Sequence, residues 1–251
     1  FLNGAFPPTA EEIQAHTPAP IIFGEASVAK PYTAPSLFNI SAMSYGALSG
    51  PAISALSQGA YQSGIWLNTG EGGLSPFHRQ APCDLVFQIG TAKYGVRDEQ
   101  GRLDASKLTE LAGIPEIKMF EIKLSQGAKP GKGGILPGEK VTEVIASTRG
   151  IPAGQDSISP NRHPEVTSVE SLLDLIKTVR DVSQKPTGIK FVLGQTQWLD
   201  DFCAAIHTYG IDSAPDFITL DSADGGTGAA PQGLMDNMGL PVAASLPLVD
   251  A

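Results

Sequence analysis

Short apolar runs recur along the chain with amphipathic stretches between them, and this alternation predicts its elements. Residues 37–43, 65–68, 85–89, 118–122, 189–193 and 216–220 are apolar runs of strand length bounded by turn formers, which predicts six strands. Ser49 followed by Pro51 marks a helix start, with Ile53, Leu56 and Ala60 on one face. A short helix is expected over residues 140–148. Thr167-Ser-Val-Glu170 reads as a capping box, and Val169, Leu172, Leu173, Ile176, Val179 and Val182 keep one stripe until Gln184-Lys-Pro186 stops it. Residues 198–209 give the last expected helix. Strands alternating with helices imply a parallel sheet. Residues 1–36 hold many prolines and no sustained period, which predicts an extended N-terminal arm ahead of one domain over residues 37–251.

The polar residues gather after the strands. Ser41-Ala-Met-Ser44 follows the first, residues 68–73 the second, and Gln88 lies in the third. The lysine-bearing stretch Glu121-Ile-Lys-Leu-Ser-Gln-Gly-Ala-Lys-Pro-Gly-Lys-Gly-Gly-Ile-Leu-Pro-Gly138 follows the fourth, Lys190 lies within the fifth, and residues 221–228 follow the sixth. Functional groups at the C-terminal ends of consecutive parallel strands are what a (β/α)8 barrel presents. The rival, a doubly wound sheet, needs glycine at 231 to complete a dinucleotide fingerprint from Gly226, and Pro231 stands there. The fold class is therefore α/β, a (β/α)8 TIM-type barrel with about six of its eight strands. Residues 247–251 carry no signal for a closing helix, and the chain reads as a piece of a longer one. Strands seven and eight, with the loops that commonly grip a cofactor phosphate, are expected after Ala251.

Charge and composition narrow the chemistry. A net charge of −9 over 251 residues excludes nucleic acid as the main partner, so an anionic ligand has to be met by a local cluster of lysine and arginine. After residue 124 the lysine stretch is expected to be a loop without regular elements, its glycines opening the backbone to an anion and its lysines supplying charge. It is not a phosphate P-loop. Gly127 to Lys132 is one residue short of that spacing, and Gly133 replaces the magnesium-binding hydroxyl. Two cysteines, Cys83 and Cys203, are too few for a disulfide scaffold and fit a reducing, cytoplasmic setting. The four histidines show no ligand spacing, so no metal site is expected. No apolar run is long enough to span a membrane.

Ser41-Ala-Met-Ser-Tyr-Gly46, Asn68-Thr-Gly-Glu-Gly-Gly73, Glu121-Ile-Lys-Leu-Ser-Gln-Gly-Ala-Lys-Pro-Gly131 and Asp224-Gly-Gly-Thr-Gly-Ala229, in that order, resemble the FMN-binding synthase domain of the glutamate synthase family. The chain is more closely similar to stand-alone, glutamate-synthase-like oxidoreductases without an amidotransferase domain. The resemblance implies a barrel holding FMN at its strand ends and an oxidoreductase acting on CH–NH2 compounds in glutamate biosynthesis and nitrogen metabolism. In that family ammonia condenses with 2-oxoglutarate, and the imine is reduced to L-glutamate with electrons from a ferredoxin or a reductase subunit. Carried over by position, Ser41, Ala42, Met43, Asn68, Gln88, Lys190, Gly225, Gly226 and Thr227 are cofactor residues. Lys123, Lys129 and Arg149 bind the substrate, and Glu71 and Lys123 are the catalytic pair. A cation such as Lys190 near the pyrimidine side of a flavin stabilises its anionic reduced form.

The chain departs from the family pattern in places. Ile135 stands where glutamate synthases usually carry glutamine, and Asp221-Ser-Ala-Asp224 is unusual ahead of the paired glycines. The cysteine triplet for an iron–sulfur cluster is absent, so a cluster is expected only through residues beyond this chain. Two alternatives stay open: a related flavoenzyme that transfers an amine to another acceptor, which Ile135 favours, and a flavin-binding electron-transfer module of a larger assembly.

Overall fold

The computed structural model describes residues 20–127, 133–224 and 230–250. A hairpin of β1 (Ile21–Phe23) and β2 (Tyr32–Ala34) precedes α1 (Gly50–Ser63), β3 (Leu67–Asn68), β4 (Leu85–Ile89), α2 (Ala105–Ala112) and β5 (Ile117–Lys123). Then come β6 (Ile135–Leu136), α3 (Glu143–Arg149), β7 (Ser157–Ile158), α4 (Val169–Ser183), β8 (Thr187–Val192), α5 (Gln197–Tyr209), β9 (Ile218–Asp221), α6 (Gln232–Asn237) and α7 (Val242–Asp250). The main sheet is five-stranded and parallel, in the order β3-β4-β5-β8-β9. Its strands follow one another around the sheet without the reversal that defines a doubly wound fold. That is the order of an incomplete TIM-type barrel.

The run expected as a first strand, 37–43, is reduced to one parallel bridge, Ile40 to Leu67. Side chains take over the ladder just before it. Asn39 Oδ1 accepts from Trp66 N at 3.1 Å, and Ser36 Oγ accepts from Phe38 N at 3.1 Å. Local bonds from Ser and Asn compete with strand pairing in this way. Other expectations are also corrected. Nothing was expected between the third and fourth strands, yet Asp104 caps α2 there by accepting from Ser106 N at 2.9 Å. The cap of α4 lies one residue later than expected, with Ser168 and Ser171 forming the reciprocal pair. The lysine stretch is not wholly irregular, since β6 pairs antiparallel with β7. The C-terminal residues do form a helix, α7, with Pro247 inside it.

Both faces of the sheet are committed. Leu85, Phe87, Ile89, Phe120, Ile122, Ile189 and Phe191 pack on Leu108 of α2, on Leu172, Leu173, Ile176 and Val179 of α4, and on Leu199 and Phe202 of α5. Strict alternation from Ile117 would turn Met119, Glu121 and Lys123 toward the helices, and a bulge resets it. Leu85 pairs with Ile117 but Val86 pairs with Met119, so Lys118 is the extra residue. Beyond it Phe120 and Ile122 face the helices, while Met119, Glu121 and Lys123 face inward. At the N-terminal end of the inner face, Val86 and Met119 pack on Tyr32 and Ala34 of the hairpin, and Phe23 meets Trp66 and Phe217 edge-on at 5.9 and 5.5 Å. The hairpin thus closes that end, leaving the opposite end of the inner face for chemistry.

Phe23→Ala should remove the aromatic centre of this closure. Phe23 is half-buried, so the expected loss of stability in urea unfolding is roughly 2 kcal/mol, below the ~3 to 5 kcal/mol of a fully buried phenylalanine. Unchanged stability would mean that the hairpin does not close the sheet.

Candidate functional site

Strand β5 ends on Lys123, and the turn after β3 brings Glu71 to it. Lys123 Nζ lies 3.1 Å from Glu71 Oε1 and also donates to Gln126 Oε1. Two glycines make this approach possible. A Cβ on Gly90 would come within 2.7 Å of Glu71 Cβ, so only glycine lets the turn lie over the end of β4. Gly70 has φ +67, and a Cβ there would meet Ser44 N at 2.6 Å, which presses the same turn against residues 41–44.

Arg149, the last residue of α3, is buried beside this pair. Its Nη1 donates to Ser157 Oγ at 2.9 Å and its Nη2 to Tyr45 O at 3.4 Å, while its guanidinium carbon lies 4.9 Å from the centroid of the Tyr94 ring. Ser157 Oγ in turn donates to the Tyr94 hydroxyl at 2.6 Å. The guanidinium is fixed from three sides, and its Nε is buried with no hydrogen-bond partner. Among the described residues no carboxylate lies within ion-pair distance of it. A fixed fork with an unused donor is suited to a ligand carboxylate.

A polar layer lies deeper on the inner face. Asn68 Nδ2 and Gln88 Nε2 donate to Glu121 Oε1 at 2.9 and 2.6 Å, and Thr219 donates to Glu121 Oε2. Gln88 Oε1 is buried and unpartnered. Lys190, in register with Lys123, places Nζ 3.5 Å from Asp221 Oδ2. Ser41 is exposed, Ala42 is half-buried, and Met43 is held to β3 by its N–H on Asn68 O at 3.0 Å.

Two buried histidines fix the strand ends. Ser75 N donates to His78 Nδ1 at 3.2 Å, so the proton of the neutral ring is on Nε2, which donates to Met43 O at 2.8 Å. His163 Nε2 donates to Lys123 O at 2.9 Å, and its Nδ1 has no partner. His163 is carried by the segment that Lys93 ties down through Glu165 at 2.9 Å. Burial holds both rings below the ordinary imidazole value, against the carbonyl hydrogen bonds, which pull the other way.

The structure thus brings Glu71, Lys123 and Arg149 together and sets Asn68, Gln88, Lys190 and Met43 on the same strand ends. Lys129, Gly225, Gly226 and Thr227 lie outside the described residues. Sequence reasoning missed Glu121, His78, His163, Tyr94 and Ser157. Only Glu121 had a signal, its two-residue spacing from Lys123. The other four are brought in by contacts distant in the chain. Among the described residues no group of three or more His, Cys, Asp or Glu side chains forms a metal-holding cluster, and no helix is long and apolar enough to cross a membrane.

The family model of a conserved region in glutamate synthase matches residues 8–251. The chain is 42% identical to the glutamate synthase large subunit-like protein YerD of Bacillus subtilis, over 91% of this chain and 43% of that protein. It is 37% identical to an archaeal-type glutamate synthase (NADPH) of Thermotoga maritima and 38% identical to an archaeal glutamate synthase (NADPH) of Archaeoglobus fulgidus. These cover 83% and 84% of this chain and 38% of each relative. The chain therefore spans about two fifths of the length of these curated relatives.

The histidines make the site acid-sensitive. Their folded values lie below the unfolded value of about 6.5, so between the two the unfolded chain binds more protons and stability falls as pH falls. Each ring contributes a slope of up to about 1.4 kcal/mol per pH unit. Urea unfolding between pH 7 and 5 should show a shallower decline for His78→Gln and for His163→Gln than for the parent. Parallel declines would mean that neither ring is held neutral.

Proposed function

The chain belongs to the glutamate synthase family, and from that premise we propose that it is the flavin-binding part of an FMN-dependent oxidoreductase acting on CH–NH2 compounds. Its reaction is the conversion of 2-oxoglutarate, ammonia, two electrons and two protons to L-glutamate and water. The observation that carries the reading is the buried Arg149 with its unused Nε beside the Glu71–Lys123 pair, at the strand ends where this fold does its chemistry.

The residues present fit FMN. Gln88 offers a buried acceptor without a donor and Lys190 a cation, while Met43, which follows Ser41 and Ala42, is held to Asn68 at the end of β3. Gly225, Gly226 and Thr227 complete the set by resemblance. When bound, FMN supplies the hydride that turns an imine into an amine. The rest falls to the chain. Arg149 takes one carboxylate of the 2-oxo acid through two parallel N–H donors, and Lys123 with Lys129 takes the other. Glu71 accepts and returns the protons of the exchange of carbonyl oxygen for nitrogen, its carboxylate oriented by Lys123. The reductant is a ferredoxin or a reductase subunit, and the NADPH in the names of the Thermotoga and Archaeoglobus relatives favours a reductase.

A second reading is favoured by Ile135, which is 61% exposed and paired in register with Ile158, itself 63% exposed. The preceding Gly134 faces Glu71 Oε1. Successive residues of a strand point to opposite faces, so Ile135 and Ile158 turn away from that carboxylate, and what favours an amine acceptor less polar than 2-oxoglutarate is the loss of glutamine's polar contact at position 135. Turnover of a panel of 2-oxo acids with ammonia under a reducing dye decides between them. Preference for 2-oxoglutarate upholds the first reading, preference for an apolar 2-oxo acid the second, and no ammonia-dependent turnover overturns both.

Arg149→Lys keeps the charge and loses the fork, so the 2-oxoglutarate concentration that half-perturbs the flavin spectrum should rise about tenfold. An unchanged titration would remove Arg149 from substrate binding. Asp221 shares the charge of Lys190. Potentiometric titration should therefore give bound FMN a higher midpoint potential in Asp221→Asn and a lower one in Lys190→Ala. Equal potentials in parent and variants would place Lys190 away from the ring.

A further inference from the structure

The inner face holds a carboxylate that substrate binding and proton transfer leave unused. Glu121 is 2% exposed and accepts from Asn68 on β3, Gln88 on β4 and Thr219 on β9, three neutral donors from three other strands. An ionised carboxylate has only acceptors, so each partner has to turn a hydrogen toward it. For Thr219 this rotates a hydroxyl. For Gln88 it decides which end of an amide faces which way.

With Nε2 held on Glu121 at 2.6 Å, Gln88 Oε1 is turned to the opposite side, where it is buried without a partner. Asn68 is turned in the same sense. Its Nδ2 is on Glu121, and its Oδ1 is left to accept from Gly70 N at 2.9 Å, at the start of the turn that carries Glu71. A buried acceptor without a donor is unfavourable unless a ligand supplies one. The isoalloxazine ring has such a group in the imide N–H at position 3 of its pyrimidine. A reversed Gln88 would set its own NH2 against that N–H and its oxygen against Glu121.

We propose that Glu121 is a positioning residue that fixes the Gln88 amide with its acceptor toward the flavin, so that the pocket takes the ring by its imide N–H. The inference rests on the FMN reading. Its test is the N3 proton of FMN labelled with 15N at that position and bound to the full-length protein.

In the parent the proton should resonate downfield and exchange slowly. Glu121→Gln has a donor of its own and no longer dictates the orientation of Gln88. Its N3 proton should move upfield and exchange about tenfold faster or more. The swap of Glu121→Gln with Gln88→Glu puts an acceptor-only group at 88 and should restore the slow, downfield signal. The swap also decides the matter if the single variant does not fold. Identical shift and exchange in parent and Glu121→Gln overturns the proposal, as does a swap that binds FMN with an unprotected N3 proton. A parent that binds no FMN overturns the FMN reading and the inference with it, whereas a parent that binds FMN with an unprotected N3 proton overturns the inference alone.

Discussion

The whole inner face depends on one extra residue in β5. A strand presents alternate residues to opposite faces, so a slip of one position exchanges its two sets. The bulge at Lys118 resets the alternation between Ile117, which packs on the helices, and Met119, which packs on the hairpin. Three consequences share that reset. Met119 joins the aromatic closure, Glu121 reaches donors on three strands, and Lys123 meets Glu71. Without it these side chains would turn into the helix layer, and Phe120 and Ile122 would fill the polar layer.

The strand ends need a second restraint because loops extend beyond them. Two neutral histidines provide it by the same means, an Nε2–H donated to a main-chain carbonyl: Met43 for His78 and Lys123 for His163. Each carbonyl belongs to a residue at the rim of the site, so the rings fix backbone rather than contact the chemistry. A buried ring is stable in this role only while it stays neutral, since a charged imidazole loses its hydration, and at His163 that loss outweighs the pull of the Glu165 and Glu71 carboxylates. The bare Nδ1 of His163 fits that state, because protonation there would add a buried donor with nothing to accept it.

The sheet was legible because period and length carry it. Residues 85–89 coincide with β4, and the runs at 65–68, 118–122, 189–193 and 216–220 overlap the strands found. The run at 37–43 failed because side chains of Ser36 and Asn39 take over its ladder bonds, a local competition that hydrophobic pattern does not register. The hairpins failed for a different reason. Two- and three-residue strands have too few positions to show alternation, and what stabilises β1 and β2 is contact with Trp66 and Phe217, far along the chain. At the site, Glu71, Lys123 and Arg149 were named through a motif resemblance, and what the structure adds is that they lie together. Tyr94 and Ser157, which fix Arg149, have no local signature at all and are visible only as a stacked ring and a shared hydroxyl.

An acidic chain can still bind a dianion if its cations are unequal in their commitments. Lys123 faces Glu71 and Lys190 faces Asp221, so each lysine is already compensated in part. Arg149 is different. Its contacts are a hydroxyl, a carbonyl and an aromatic face, none of which cancels its charge, and burial keeps water from doing so. An incoming carboxylate therefore gains most at Arg149, in a setting of low dielectric where a charge-assisted hydrogen bond is strong. At Lys123 it has to share the ammonium with Glu71, and under the proposed function that shared ammonium sets the substrate beside the carboxylate proposed to handle its protons. In the proposed reaction the charges therefore rank the two cations: Arg149 as the anchor of the 2-oxo acid, and Lys123 as its link to Glu71.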